Sequence, residues 1–201
     1  SRILLLPEKY PDDTQRRAFV DRLLEQIAGK PNLVATAVTT AFPHHQNPYA
    51  RLAVAGQAAN DPSHQPYVTF AAVTPDYFNV IRNLPLNGRA FDERDRTSSP
   101  PVAIVSESLV KKFLHEGNPL GRRIALDAGS PDLEWREIVG VVRDVKIHGP
   151  AVTPPAQVYV PFDQMPMAQF MEVVRVRPGA PNPTAQVTAA IQTVDPEMPV
   201  P

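Results

Sequence analysis

Val73-Thr74-Pro75-Asp76-Tyr77-Phe78, Gly88-Arg89-Ala90-Phe91, Val102-Ala103-Ile104-Val105-Ser106-Glu107-Ser108-Leu109 and Asn118-Pro119-Leu120-Gly121-Arg122-Arg123-Ile124 follow one another through the middle of the chain. Each marks an element border. Thr74-Pro75-Asp76 has the chemistry of a helix start: a hydroxyl cap, a proline in the first turn and an acid facing the dipole. The short helix it opens carries Tyr77, Phe78, Val80 and Ile81. Asn87-Gly88 reads as a turn, and Phe91 to Pro101 as a charged loop. Val102 to Val105 reads as a buried strand, after which Ser106 caps a helix with Leu109, Val110, Phe113 and Leu114 on its apolar face. Arg122 to Leu126 reads as an exposed or half-exposed strand.

Outward from this centre, Ile3 to Leu6 is a short apolar strand. A helix follows, capped by Asp12 with Gln15 as capping-box partner, and striped by Phe19, Val20, Leu23, Leu24, Ile27 and Ala28. Gly29 stops it. Leu33 to Phe42, Arg51 to Gln57 and Tyr67 to Val73 are extended. So are Trp135 to Ile147, Gln157 to Phe162 and Phe170 to Arg177. Asn182-Pro183 opens a last helix, which Asp195-Pro196 closes. Helices and strands mix without strict alternation, which predicts an α+β fold.

Composition narrows the function. The chain has 201 residues, 43% hydrophobic and 20% charged, with a formal net charge of −1. That balance gives no clustered basic surface for nucleic acid. With no cysteine there is no disulfide, thiolate metal site or Cys nucleophile. No run reaches the roughly 18 apolar residues of a spanning helix. The 24 prolines sit mostly at element borders and read as punctuation of a folded domain. The abrupt apolar ends read as a segment cut from a longer chain.

No motif argues for catalysis. His44-His45 is adjacent rather than spaced i, i+4, with no carboxylate within five residues. His64, His115 and His148 are isolated. Asp92-Glu93-Arg94-Asp95-Arg96 alternates in sign inside a polar loop, which predicts a solvated surface. Ser106 lacks the glycine frame of a nucleophile elbow. The segment from Gly117 to Arg123 lacks both the Gly-x-Gly-x-x-Gly spacing and the Walker lysine. The expectation is no catalytic, cofactor-binding or metal-binding residue, and no enzyme.

The four central pieces, in that order, resemble the extracytoplasmic core domain of MacB-like ABC transporter permeases. The likeness begins at Tyr10-Pro11-Asp12 and continues through Ile138-Val139-Gly140-Val141-Val142-Arg143-Asp144-Val145 and Val158-Tyr159-Val160-Pro161-Phe162. It ends at Val194-Asp195-Pro196-Glu197-Met198-Pro199-Val200. It is strongest to the duplicated-domain permeases of acidobacterial type. One departure is Asn32, where the family usually carries glycine.

The resemblance implies a two-lobed periplasmic domain of an inner-membrane permease. A porter-like lobe of βαβ units would take residues 1–83 and 166–201, and an inserted strand-rich, Sabre-like lobe residues 84–165. It further implies a non-catalytic role in efflux or mechanotransmission, coupling cytoplasmic ATP hydrolysis to movement or engagement outside the cytoplasm. The implied partners are flanking transmembrane helices of the same permease, a cytoplasmic ATPase acting indirectly, and a periplasmic adaptor or substrate. A second copy in a homodimer is also implied; nucleic acid is not. Two other readings stand beside it. A stand-alone periplasmic binding module for peptide or lipid would need a deep apolar cleft. A hydrolase would need a His or second acid beside Ser106 or the acidic loop.

Overall fold

The computed structural model describes residues 2–41, 48–57, 65–115, 117–127, 130, 132–145 and 155–199. In chain order the described elements are β1 (Arg2–Leu4), α1 (Asp13–Ile27), β2 (Leu33–Thr39), β3 (Tyr49–Val54), β4 (Tyr67–Val73), α2 (Tyr77–Val80) and β5 (Asn87–Gly88). There follow β6 (Val102–Ser106), α3 (Glu107–Phe113), β7 (Arg123–Leu126), β8 (Arg136–Val142), β9 (Gln157–Pro161), β10 (Gln169–Val176) and α4 (Thr184–Val194). The fold is α+β, as the mixed periodicity predicts.

Six strands close on themselves. β4 pairs antiparallel with β3, β3 with β7, and β7 with β8. β8 runs parallel to β6, β6 antiparallel to β9, and β9 parallel to β4. Such a ring removes the free edges that an open sheet must protect. All five residues of β6 and all five of β9 are buried, as uninterrupted apolar runs demand when both faces are covered. One face of these strands (Ala103, Val105, Val158, Val160) packs with Leu52, Ile124, and Leu109 of α3. The other (Val102, Ile104, Tyr159) packs with Tyr77 and Phe78 of α2 and with Phe91. β3 and β4 fall in residues 1–83 and the other four ring strands in residues 84–165. The β3–β7 and β4–β9 ladders therefore cross that sequence boundary.

Three of the remaining strands form an arm. β10 lies between β1 and β2, antiparallel to both, and α1 connects the two outer strands. Asp12 Oδ1 accepts the amide of Gln15 at 2.9 Å, the expected cap. Phe19, Val20, Leu23 and Ile27 are buried with Val187, Ala190 and Ile191 of α4. Asn32 adopts a φ of 70°, the left-handed conformation that asparagine tolerates better than most residues, so the turn survives the missing glycine.

Three expectations are corrected. Asn87-Gly88 is not a turn but a two-residue strand on β8. At Gly88, with φ 75°, a Cβ would stand 2.1 Å from the Val139 carbonyl oxygen; at Gly140 it would stand 2.4 Å from that of Arg89. Only two glycines admit so close an approach. Arg122 to Leu126 is the half-exposed alternative of its reading: Arg123 is exposed, while Ile124 and Ala125 are fully buried in the ring wall. The charged loop is not solvated throughout, since Asp95 is only 4% exposed.

The third correction concerns Thr74. α2 begins after Asp76 without a side-chain cap. The Thr74 hydroxyl instead accepts the Val38 amide at 2.9 Å, and the Thr74 amide donates to the Val38 carbonyl at 3.1 Å. Thr40 mirrors it. Its hydroxyl accepts the Ala72 amide at 2.9 Å and its amide donates to the Ala72 carbonyl at 3.0 Å. Between these two clasps lies the single ladder pair of β2 and β4, Thr39 opposite Val73.

Candidate functional site

Two features stand out: a cleft beside the arm–ring joint and a polar clamp joining the ends of the chain. The cleft, about 220 Å³, opens between α1 and the loop around Asp92. Its floor is Val20, Leu24, Pro75, Phe91, Pro161 and Phe162, and its rim carries Arg17, Asp21, Asp92, Glu93, Arg96 and Asp163. A wider groove of about 540 Å³ continues from it past Glu25, Thr36 and Asp76.

Most rim charges are already committed. Arg89 grips buried Asp95 through two bonds of 2.6 and 2.8 Å, and the Asp92 amide donates to the same carboxylate at 3.0 Å. Such a forked, charge-assisted contact fixes the loop. Asp92 pairs with Arg94 at 2.6 Å, and hydrogen bonds from that arginine hold its carboxyl well below the usual range. Arg17 donates to the Asp163 carbonyl at 3.1 Å. Asp21 is pushed up by burial and then by the Asp163 carboxylate, with Arg96 and Arg17 opposing.

The clamp is the feature that sequence reasoning missed. Lys9 Nζ lies 2.7 Å from Asp195 Oδ1 and 3.0 Å from Glu197 Oε2. The Tyr10 hydroxyl donates to Asp195 Oδ2 at 2.8 Å across 185 positions of sequence. Burial pushes the Tyr10 phenol up to about 12, helped by its bond to Asp195. Burial also pushes Asp195 up, but hydrogen bonds from Lys9, Tyr10 and the Glu197 amide outweigh it and hold the carboxyl below its ordinary value. Tyr10 packs edge-on against Phe19 with centroids 5.3 Å apart, tying the clamp to the arm's core. The only signal in the sequence was that Tyr10-Pro11-Asp12 and Asp195-Pro196 both carried the resemblance; nothing local says that they touch.

The residues weighed for chemistry are not brought together. Ser106 is buried, and its Oγ accepts the amides of Leu109 at 3.4 Å and Gln157 at 3.1 Å. It caps α3 and pins β9. Asp144 is occupied by Ser108, at 2.6 Å from its hydroxyl. His115 is exposed, while His44, His45, His64 and His148 lie outside the described residues. Gly121 donates its amide to the Ile138 carbonyl at 2.9 Å, where the chain turns into β7. Among the described residues no group of three or more His, Asp or Glu could hold a metal ion, and no helix is long and apolar enough to cross a membrane.

The model of one protein family, the MacB-like periplasmic core domain, matches residues 2–194. Solved structures of similar fold include the periplasmic region of MacB from Actinobacillus actinomycetemcomitans. The likeness has a TM-score of 0.61 and 15% identity over 96% of this chain and 82% of that one. The extracellular domain of the noncanonic ABC-type transporter YknZ from Gram-positive bacteria matches with a TM-score of 0.57 and 15% identity, over 94% and 88% of the two chains. No curated protein matches at the level of sequence.

Proposed function

This chain belongs to the MacB-like periplasmic core domains, the extracytoplasmic domains of ABC-type permeases, and from that premise we propose that it is a non-catalytic force-transmitting part. In this reading a cytoplasmic ATPase drives the membrane helices of the permease. The helices move this domain, and the domain engages an adaptor, a substrate or a second copy of itself. We propose that the arm corresponds to the porter-like lobe and the ring to the Sabre-like lobe, with β3 and β4, which pair with β7 and β9, counted with the ring. The observation that carries the reading is the clamp. Lys9, Tyr10 and Asp195 bind the two ends of the domain to each other, so a pull on either end is delivered to α1 and the arm's core.

The test is made on the full permease with its ATPase. A nitroxide on an Arg22→Cys variant, at an exposed position of α1, reports the distance between two copies. Trapping the ATPase with ATP and vanadate is expected to change that distance. An unchanged distance across the nucleotide cycle would sink the coupling reading. A binding module for peptide or lipid is the alternative, and the cleft is what speaks for it. The cleft itself is small, about 220 Å³, and the groove of about 540 Å³ that continues from it is lined by the carboxylates Glu25, Asp76, Asp92 and Glu93 rather than by the predominantly apolar walls of a ligand site, so mechanical coupling is preferred.

A further inference from the structure

We infer that arm and ring articulate about the β2–β4 joint, with the hydroxyls of Thr40 and Thr74 as its clasps and the cleft beside α1 as the space that opens and closes. The inference does not rest on the coupling role proposed above. Articulation is a property of this chain alone, and its failure would leave the family assignment untouched.

Three observations lead to it. First, the sheet narrows at the joint. β10 and β2 share six ladder pairs and β4 and β9 share five, but β2 and β4 share only Thr39 opposite Val73. Second, only half of the bonds that flank this pair are those of a continuing ladder: the Thr74 and Thr40 amides still reach the Val38 and Ala72 carbonyls, at 3.1 and 3.0 Å. An antiparallel ladder would send the Val38 amide to the Thr74 carbonyl and the Ala72 amide to the Thr40 carbonyl. Both amides go instead to the threonine hydroxyls, each at 2.9 Å. One bond of each flanking pair has left the ladder, and a side-chain oxygen takes the place of the carbonyl. A hydroxyl on a rotatable χ1 can follow a change of strand angle that a fixed carbonyl cannot. Because Val38 and Ala72 are fully buried, their amides need those oxygens.

Third, the other ties across the joint are apolar packing, such as Tyr77 and Phe78 in one cluster with Ala37 of β2, and a few long side chains. Phe162 packs edge-on against Phe170 of the arm, with centroids 5.8 Å apart. Arg17 and Arg175 reach across on long stems to the carbonyls of Asp163 and Asn79, at 3.1 and 2.9 Å. Non-directional packing and flexible side chains are what hinge and shear motions move past. On the open side, Glu25 of α1 and Glu93 of the ring loop line the same groove and are both exposed. A rotation about Thr39–Val73 would change the gap between them.

The chain has no cysteine, so labels can be placed cleanly. Nitroxides on Glu25→Cys and Glu93→Cys span the joint. Nitroxides on Glu93→Cys and Lys111→Cys lie within the ring and its helix. Double electron–electron resonance is expected to give a broad or two-peaked distribution for the first pair and a narrow one for the second. Thr40→Val with Thr74→Val should shift and widen only the first distribution, while Thr40→Ser with Thr74→Ser should leave it as in the parent chain. A first pair as narrow as the second in the parent chain overturns the inference, and that reading needs no variant to fold. Equal broadening of both pairs in the valine variant also overturns it, since the threonines would then serve general stability.

Discussion

Ring and arm differ in how they treat the polar groups they bury. In the ring, fully buried Arg136 is held by Glu134 and by Gln164 Oε1. The same amide oxygen accepts the Val102 amide at 3.1 Å, and Gln164 Nε2 donates to the carbonyls of Arg96 and Pro100. In the arm, Glu172 is 5% exposed and its Oε1 has no partner; Thr36 Oγ1 on β2 and Gln186 Oε1 on α4 are likewise buried and unpaired. The ring has its own exceptions in Gln157 Nε2 and, at the entry to β4, Gln65 Oε1. A closed set of ladders with most of its buried polar groups paired is a stiff frame. An open three-stranded arm with unpaired buried oxygens stands closer to a rearrangement.

The largest effect should come from the frame. Gly88→Val must place a β-branched side chain at φ 75°, with its Cβ against the Val139 carbonyl and Leu120. Strain and overpacking together should cost about 4 kcal/mol or more, read as loss of the cooperative urea transition or a large fall in its midpoint. Gly140→Ala meets Arg89 backbone and should also be severe. A mild effect at both would mean that β5 can lift off β8, and the ring would not be the stiff partner.

A second break targets the polar network. Gln164→Leu keeps the bulk but deserts the Arg136 guanidinium and the Val102 amide. Leaving buried donors unpaired should cost about 2–4 kcal/mol, measured by chemical denaturation. Restoring the oxygen with Glu should recover part of it. If leucine costs nothing, the network is not what stiffens the ring.

The arm should respond in the opposite direction. Burial raises the Glu172 carboxyl from 4.5 to about 7. Between those values the native chain keeps a proton that the unfolded chain has lost, so stability falls as pH rises through this window and levels off above it. The shift caps the penalty at roughly 3 kcal/mol. Glu172→Gln should therefore stabilise the chain by about 1–3 kcal/mol at pH 8 and change little at pH 4. Thermal melts of both forms across that range check it. A loss of stability at pH 8 would mean that the carboxylate has a partner in solution.

What the sequence revealed and what it hid divide along the same line. Element identities were legible where the cause was local: the Asp12 and Ser106 caps, the α1 stripe, and the uninterrupted apolar runs of β6 and β9. Thr74 misled because a hydroxyl before Pro-Asp has cap chemistry, yet its partner is an amide 36 residues away. Asn87-Gly88 reads as a turn by composition, but its glycine is required by a backbone more than fifty residues downstream. Ring closure depends on which strands pair, and no periodicity encodes that. The clamp was invisible for the same reason: a lysine, a tyrosine and an aspartate acquire meaning only when the two ends meet.

The smallest effect tests that clamp. Asp195→Asn removes the charge but can still accept from Tyr10. Lys9 is half-exposed, so solvent screens its attraction and the surface pair adds little. The loss should be about 1 kcal/mol at pH 7, mostly from weakened hydrogen bonding to a carboxylate that is itself 3% exposed. The sign with pH is fixed by the lowered carboxyl. A depressed acid stabilises above its unfolded value and loses that contribution as pH falls through its folded one. Parent and variant melts should therefore converge in strong acid and separate at neutral pH with the variant the less stable, whereas Glu172→Gln separates with the variant the more stable. Equal losses at both extremes would mean that Asp195 acts by shape alone. The clamp would then be a packing contact rather than an electrostatic tie between the two ends of the arm.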